Sequence, residues 1–310
     1  MVEKKPLIIF DTDMDTDCDD AGALAMILNE VKRGNAELIG IIASAPVCDS
    51  APCCEQICKT YGFSAPIGAV SEEKYRDSER FKRYLDLRAS VKRDIYYNRA
   101  VSKHLNKTDK DYTPAAKLYR ELLAKAEDKS ITLVCVGFLT AVSELFETEA
   151  DEISELSGIE LFEKKVKEFI SMGDIRYPEY SGTIFNYTMD SIGTNSVFEL
   201  SPIPIIISPM GTEIITGYSL PKHFEQNHPV RVAYKMFVGE EGRGRSSWDP
   251  VAVLYALGHK NLFDTQNYGT ARFDKSGRGY WQEGERKDIL ITPNISDEQA
   301  AEMIEKMILS

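Results

Sequence analysis

Positive charge is scarce in this chain: 37 Lys and Arg stand against 49 Asp and Glu in 310 residues, a formal net charge of −12. That balance repels phosphodiester backbones, and no basic patch interleaved with aromatics runs through the sequence. Nucleic acid is therefore excluded as a partner and a small molecule expected. Long apolar runs are missing too. None reaches the roughly 18 residues needed to cross a bilayer, so no membrane partner is expected. The opening Met1-Val2-Glu3-Lys4-Lys5 leads into a strand without a signal-peptide core, which points to a cytoplasmic location. An exported protein whose signal had been trimmed would read the same way. Paired metal-ligand cysteines are also absent. The six cysteines, at 18, 48, 53, 54, 58 and 135, lack zinc-site spacing, and Cys54 and Cys58 share one helical face. They read as reduced, mostly buried thiols, with metal binding or redox sensing by the 48–58 group as the alternative.

What the chain does have is 43% hydrophobic content, enough for one large α/β domain over 1–310, and one dense patch of acid. Asp11 to Asp20 reads Asp-Thr-Asp-Met-Asp-Thr-Asp-Cys-Asp-Asp, six carboxylates in ten residues. Carboxylates about 5 Å apart repel by on the order of 1 kcal/mol per pair even in water, and by more once partly buried. The run Pro6-Leu7-Ile8-Ile9-Phe10 before them is of strand length, and Ala21 to Leu28 after them reads as the start of a helix. The acids thus occupy a strand-to-helix turn, which in an α/β fold lies where ligands bind. Asp19 and Asp20 fall where a helix amino terminus favours negative charge. A hard divalent cation is the natural guest. An EF-hand loop needs Gly at its sixth position and Glu at its twelfth. Counted from Asp11 these are Thr16 and Gly22, and from Asp13 they are Cys18 and Leu24, so that motif fails. A haloacid-dehalogenase type phosphatase also opens with a strand and Asp-x-Asp, here Asp11 and Asp13, but the Thr expected two residues later is Asp15. It stays as an alternative. A solvated acidic loop is the blander account, and such loops seldom sit directly on a buried strand.

A strand, Asp-x-Asp, a short loop and Asp-Asp-Ala-x-Ala-Leu together resemble the opening signature of the nucleoside hydrolases, or nucleoside N-ribohydrolases. The usual family form is Asp-x-Asp-Pro-Gly-x-Asp-Asp, so the loop here is two residues longer, with Asp15 where Gly is common. Because the apolar run ends at Phe10, Asp11 and Asp13 match the first pair and Asp19 and Asp20 the second. Three later stretches are similar in part. Val136-Gly137-Phe138-Leu139-Thr140-Ala141 resembles the family's Gly-Pro-Leu-Thr-Asn turn, with Phe138 for Pro and Ala141 for Asn. Ser171-Met172-Gly173-Asp174 is close to Met-Gly-Gly, and Phe185-Asn186-Tyr187 to Glu-Phe-Asn, with Ile184 in place of Glu. Finally Trp248-Asp249-Pro250 stands where many members have His-Asp-Pro. Trp-Asp is the form of the purine-selective branch.

The resemblance implies an open, mostly parallel, Rossmann-like sheet flanked by helices, and a calcium-dependent hydrolysis of purine nucleosides to ribose and base by a homodimer or homotetramer. It implies calcium held by Asp13, Asp20, Asp249, the Val136 carbonyl and Asp11, with Asp13 as general base. Asp19 and Asn186 would hold the sugar hydroxyls and Trp248 would stack on the base. His223 and His228 lie in a loop within reach of the base, though neither matches a family acid. Loss of the Glu at Ile184, with Pro178 and Glu179 near a missing Asn, implies tolerance of an altered 5′ end. A non-catalytic calcium- or ribose-binding protein is a further alternative.

Between the motifs, strands are expected at 36–43, 66–69, 130–136, 166–172 and 203–207, and helices at 51–61, 114–125, 191–198 and 297–309. A strand pair is expected after Asn267. Residues 71–113 are charged, aromatic and without strand signals, and read as a helical insertion over the carboxyl edge of the sheet. Phe81, Tyr96 and Tyr97 within it read as packed helical surface.

Overall fold

Aliphatic runs without alternation become parallel strands when both sheet faces are covered. The computed structural model describes residues 5–310 apart from 15, 48, 77, 92–93 and 176–184. In it Ile8, Ile9 and Phe10 are wholly buried within β1 (Leu7–Thr12). There follow β2 (Glu37–Ala43), β3 (Ile67–Ala69), β4 (Thr113–Pro114), β5 (Ile131–Cys135), β6 (Val166–Met172) and β7 (Ile205–Ser208). Their order in space is β4-β3-β2-β1-β5-β6-β7, all parallel. The strand Ile289–Pro293 continues the sheet parallel to β7, and Phe263–Gln266 closes it as an antiparallel edge. The chain steps from β1 out to β4, then returns to the other flank of β1 for β5. That reversal is the topological switch point at whose carboxyl end open α/β sheets bind ligands.

Helices cover both faces. On one side α1 (Asp19–Lys32), α2 (Ser50–Thr60) and the helices Trp248–Ala256 and Asp297–Leu309 pack against Ile8 and Phe10. On the other, helices Ala115–Lys125, Thr140–Phe146 and Ser191–Leu200 pack against Ile9. The hairpin of Thr270–Phe273 with Gly279–Gln282 is the strand pair anticipated after Asn267. No helix among the described residues is long and apolar enough to cross a membrane.

The structure departs from the sequence reading in three places. β1 runs two residues past the apolar stretch, because the Asp11 carbonyl accepts from Val136 N (2.8 Å) and the Thr12 carbonyl from Ser44 N (2.8 Å). Asp11 is therefore a sheet residue rather than a turn residue. The 71–113 stretch does contain short helices, but it ends in strand, since Thr113 joins Pro114 in β4 at the sheet edge, a place where a proline is tolerated. Helices Thr140–Phe146, Gly158–Lys165 and Pro229–Val238 and the strand Ile289–Pro293 had no counterpart in the reading. Phe81 and Tyr97 are buried, as packed residues should be. The five described cysteines are all buried free thiols, as expected, while Cys48 lies outside the described residues.

Candidate active site

Three distant segments bring their acids to the switch point. β1 delivers Asp13 just past its end, and its exit runs against the exit of β5 so closely that a Cβ on Gly137 would come within 2.2 Å of the Asp13 nitrogen. Only glycine fits there. The loop from Met14 to Asp17 is held from outside, where Ser50 Oγ donates to the Met14 carbonyl (2.6 Å) and the Tyr97 hydroxyl to the Asp17 carbonyl (2.7 Å). Asp19 and Asp20 occupy the first turn of α1, and Asp249 the first turn of the helix Trp248–Ala256. The turn before that helix is set by Gly211, with φ of +146° and its carbonyl accepting from Ser247 N (3.0 Å); a Cβ on it would lie 2.4 Å from Trp248 Cα.

One carboxylate oxygen from each of Asp19, Asp20 and Asp249 lies within 4.8 Å of the others. Asp19 Oδ2 accepts from the Asp249 nitrogen (3.1 Å), and the Thr12 hydroxyl donates to Asp20. With Asp13 they form the floor of a cavity of about 250 Å³, whose walls include Asn186, Phe185, Phe237 and Trp248, together with Asp17 and Arg245. Trp248 is half-buried, its Nε1 donating to Thr212 Oγ1 (3.1 Å). Asp11 lies outside the cavity lining, with Oδ2 accepting from the Tyr119 hydroxyl (2.5 Å). The Val136 carbonyl accepts from Asn186 Nδ2 (2.6 Å), which leaves its second lone pair open.

Burial dominates the electrostatics. It pushes Asp11 up to about 7, against the Tyr119 hydrogen bond, and pushes Asp13 up to about 7, reinforced by the charges of Asp17 and Asp11. Asp19, Asp20 and Asp249 are raised well above the ordinary carboxylate range, by burial first and then by neighbouring acids. Asp11 Oδ1, Asp13 Oδ2 and Asp249 Oδ1 are buried without a hydrogen-bond partner among the described residues. Unpartnered buried carboxylate oxygens are costly, so the set fits a positive guest. An all-oxygen donor set suits a hard cation such as calcium.

A pH dependence follows. Asp11 and Asp13 bind protons more tightly in the folded metal-free protein, near 7 against an ordinary 3.8, so the stability linked to them is present at low pH and lost as pH rises through 7. In chelator, the melting temperature should fall as pH rises from about 4 through 7, and saturating calcium should shrink that fall. A metal-free melting temperature that stays flat across this window would count against the buried acid cluster.

Neither histidine named from the sequence lines this cavity. His228 stacks on Phe224 with ring centroids 3.7 Å apart, and burial lowers it to about 4. His223 lines a separate hollow with Tyr218 and Glu305. Ile184, Pro178, Glu179 and Asp15 lie outside the described residues. Sequence reasoning missed Tyr119, Phe237 and Arg245. Arg245 stands three residues before Trp248, yet nothing local marked it.

No protein-family profile matches the chain, and no curated protein matches it. Solved structures match over nearly its whole length. An inosine-uridine preferring nucleoside hydrolase from Bacillus anthracis superposes with a TM-score of 0.64 at 14% identity, covering 98% of this chain and 99% of the other. An inosine-guanosine nucleoside hydrolase gives 0.64 at 16%, covering 98% of each chain. The fold is that of the nucleoside hydrolases. An effector protein shares it as well, with a TM-score of 0.69 at 13% identity over 99% of this chain and 93% of the other. At such identities the likeness establishes architecture, and chemistry has to be argued from the residues themselves.

Proposed function

We propose that this chain hydrolyses the N-glycosidic bond of ribonucleosides, purine nucleosides in preference, in a calcium-dependent reaction that releases ribose and free base. The observation that carries this reading is the convergence of Asp13, Asp19, Asp20 and Asp249 on one cavity floor, with unpartnered buried oxygens, beneath a wall that carries Trp248. Asp13, Asp20 and Asp249 with the Val136 carbonyl would hold the cation, with the unpartnered Asp11 Oδ1 as a further candidate ligand. When bound, calcium neutralises the clustered acids, orients the ribose hydroxyls and acidifies a water.

Asp13 removes the proton from that attacking water, and the carboxylates around it stabilise the oxocarbenium-like charge that builds on the sugar as the bond to the base breaks. Asp19 holds a sugar hydroxyl. Asn186 holds the Val136 carbonyl in place and presents the other end of its amide to the sugar. Trp248 presents an aromatic face to the base. Assembly as a homodimer or homotetramer belongs to the same reading, with mass in solution as its measure. So does tolerance of an altered 5′ end, which rests on Ile184 in the sequence alone.

A phosphatase using the first acid as nucleophile needs that acid open to substrate, whereas Asp11 is fully buried beneath the Tyr119 hydroxyl. The deciding experiment is a screen of ribonucleosides for released base, with calcium and with chelator. Release from inosine, adenosine or guanosine, lost on chelation, is expected. Turnover of phosphate esters without any release of base would overturn the reading, and tight calcium binding with no turnover would mark a binding protein.

The purine preference rests on stacking, worth roughly 1–3 kcal/mol per base. A purine offers more ring face than a pyrimidine, so Trp248→Ala should lower kcat/KM for inosine more than for uridine and reduce their ratio by up to about tenfold. A parent that favours uridine would remove the purine preference and leave the hydrolase reading standing.

A further inference from the structure

Hydrolysis as proposed leaves one chemical demand unmet. The C–N bond breaks heterolytically, its electron pair stays with the base, and an unassisted purine anion leaves poorly. No histidine lines the cavity to supply a proton. Among the described lining residues the one cation is Arg245, facing Asp13, Asp17, Asp19, Asp20 and Asp249.

Its guanidinium is fixed on three sides. Nε donates to both carboxylate oxygens of Asp17 (3.0 Å each) and Nη2 donates to Oδ2 (2.5 Å). The guanidinium carbon sits 5.1 Å from the Trp248 ring centroid and 5.2 Å from that of Phe237. Nη1 has no acceptor among the described residues. The Arg245 and Asp17 side chains are 34% and 21% exposed, and an ion pair that open to water adds little to stability. Such a pair gains more as a preorganised donor than as a strut. Arg245 is thus a rigid fork with a free donor nitrogen, lining the same cavity as Trp248 and Phe237.

We propose that Arg245 is a catalytic residue for the hydrolysis inferred above, on which this proposal rests. Its Nη1 donates hydrogen bonds to a ring nitrogen or exocyclic oxygen of the departing base and stabilises the negative charge gathering there. Asp17, Trp248 and Phe237 keep it in position. The guanidinium keeps its own protons, since it does not deprotonate at neutral pH. The water oxygen bonds to the anomeric carbon, the water proton passes to Asp13 and on to solvent, and the base takes its proton from solvent. Atoms and charge balance without a general acid.

The test compares a poor leaving group with a good one. Parent, Arg245→Gln and Arg245→Lys are assayed on inosine and on p-nitrophenyl β-ribofuranoside, whose phenolate departs without help. Removing a preorganised donor to developing charge lowers kcat by about 10² to 10³. R245Q should show that loss on inosine, less than about fivefold loss on the nitrophenyl riboside, and partial recovery in R245K. Equal losses on both substrates, or no loss on inosine, would overturn the proposal. A variant that melts well below the parent is replaced by Asp17→Asn, which leaves the cation in place and frees it to move. A smaller loss, again confined to inosine, is then expected, and equal losses overturn the proposal as before. A parent that cleaves neither riboside brings down the hydrolase reading and this proposal together. A parent that cleaves both separates the two.

Discussion

Asp13→Asn should fold like the parent and lose about 10² to 10⁴ in kcat on nucleosides at saturating calcium. An amide has the shape of the carboxylate and cannot take a proton from water. Asp13 is 3% exposed at the cavity floor, and its Oδ2 has no donor among the described residues, so nothing in the fold depends on that oxygen being charged. Burial, with the charges of Asp17 and Asp11 adding to it, raises its metal-free value to about 7. A cation beside it pulls the value down and keeps it ionised. Asp249→Ala supplies the contrast. It deletes a ligand and keeps the base, so raising calcium should recover part of its activity, whereas Asp13→Asn, already assayed at saturating calcium, should gain nothing. Turnover of Asp13→Asn at the parent rate would mean that Asp13 is not the base.

The acid turn was legible because six carboxylates beside a buried strand leave few physical solutions, and Asp249 because it opens an apolar helix. The end of β1 was not legible. Aspartate is a poor strand former, and only ladder bonds from Val136 and Ser44, far along the chain, carry the strand on to Thr12. Tyr119 was hidden for a related reason. The amphipathic pattern of its helix gives burial and says nothing about which carboxylate, 108 residues away, its hydroxyl will meet. Arg245 in a Gly-rich stretch reads as solvated surface, and its meaning depends on Asp17, 228 residues distant. His228 reads as loop, but the next residue, Pro229, is well suited to the first turn of a helix and opens one here, the helix that supplies Phe237.

Loss of Asp190 should cost the protein about 3–5 kcal/mol, the usual penalty for leaving half of a buried ion pair. Asp190 is fully buried and accepts from Arg80 Nε and Nη2 (2.6 Å each), the Thr140 hydroxyl (2.6 Å) and the Gly193 nitrogen (3.0 Å). In Asp190→Ala the Arg80 guanidinium, whose side chain is 10% exposed, keeps a 2.8 Å bond to the Ser143 hydroxyl, a longer one to Tyr75 and the ring faces of Tyr75 and Phe81, but loses the carboxylate it is bonded to. The helix Ser191–Leu200 loses its amino-terminal cap as well. Removing Arg80 from that variant should therefore cost less than about 1 kcal/mol more, because the stranded charge goes with it. Urea unfolding of the parent, both single variants and the double variant measures this directly. Additive losses, or an Asp190→Ala variant within about 1 kcal/mol of the parent, would show that the pair is not coupled. Arg80 comes from the 71–113 stretch, and Asp190 follows the short helix Phe185–Met189 that carries Asn186, so this pair ties that stretch to the cavity wall. Arg80→Lys keeps the charge and loses the two-pronged grip on both carboxylate oxygens, and should recover less than half of the stability lost in Arg80→Ala.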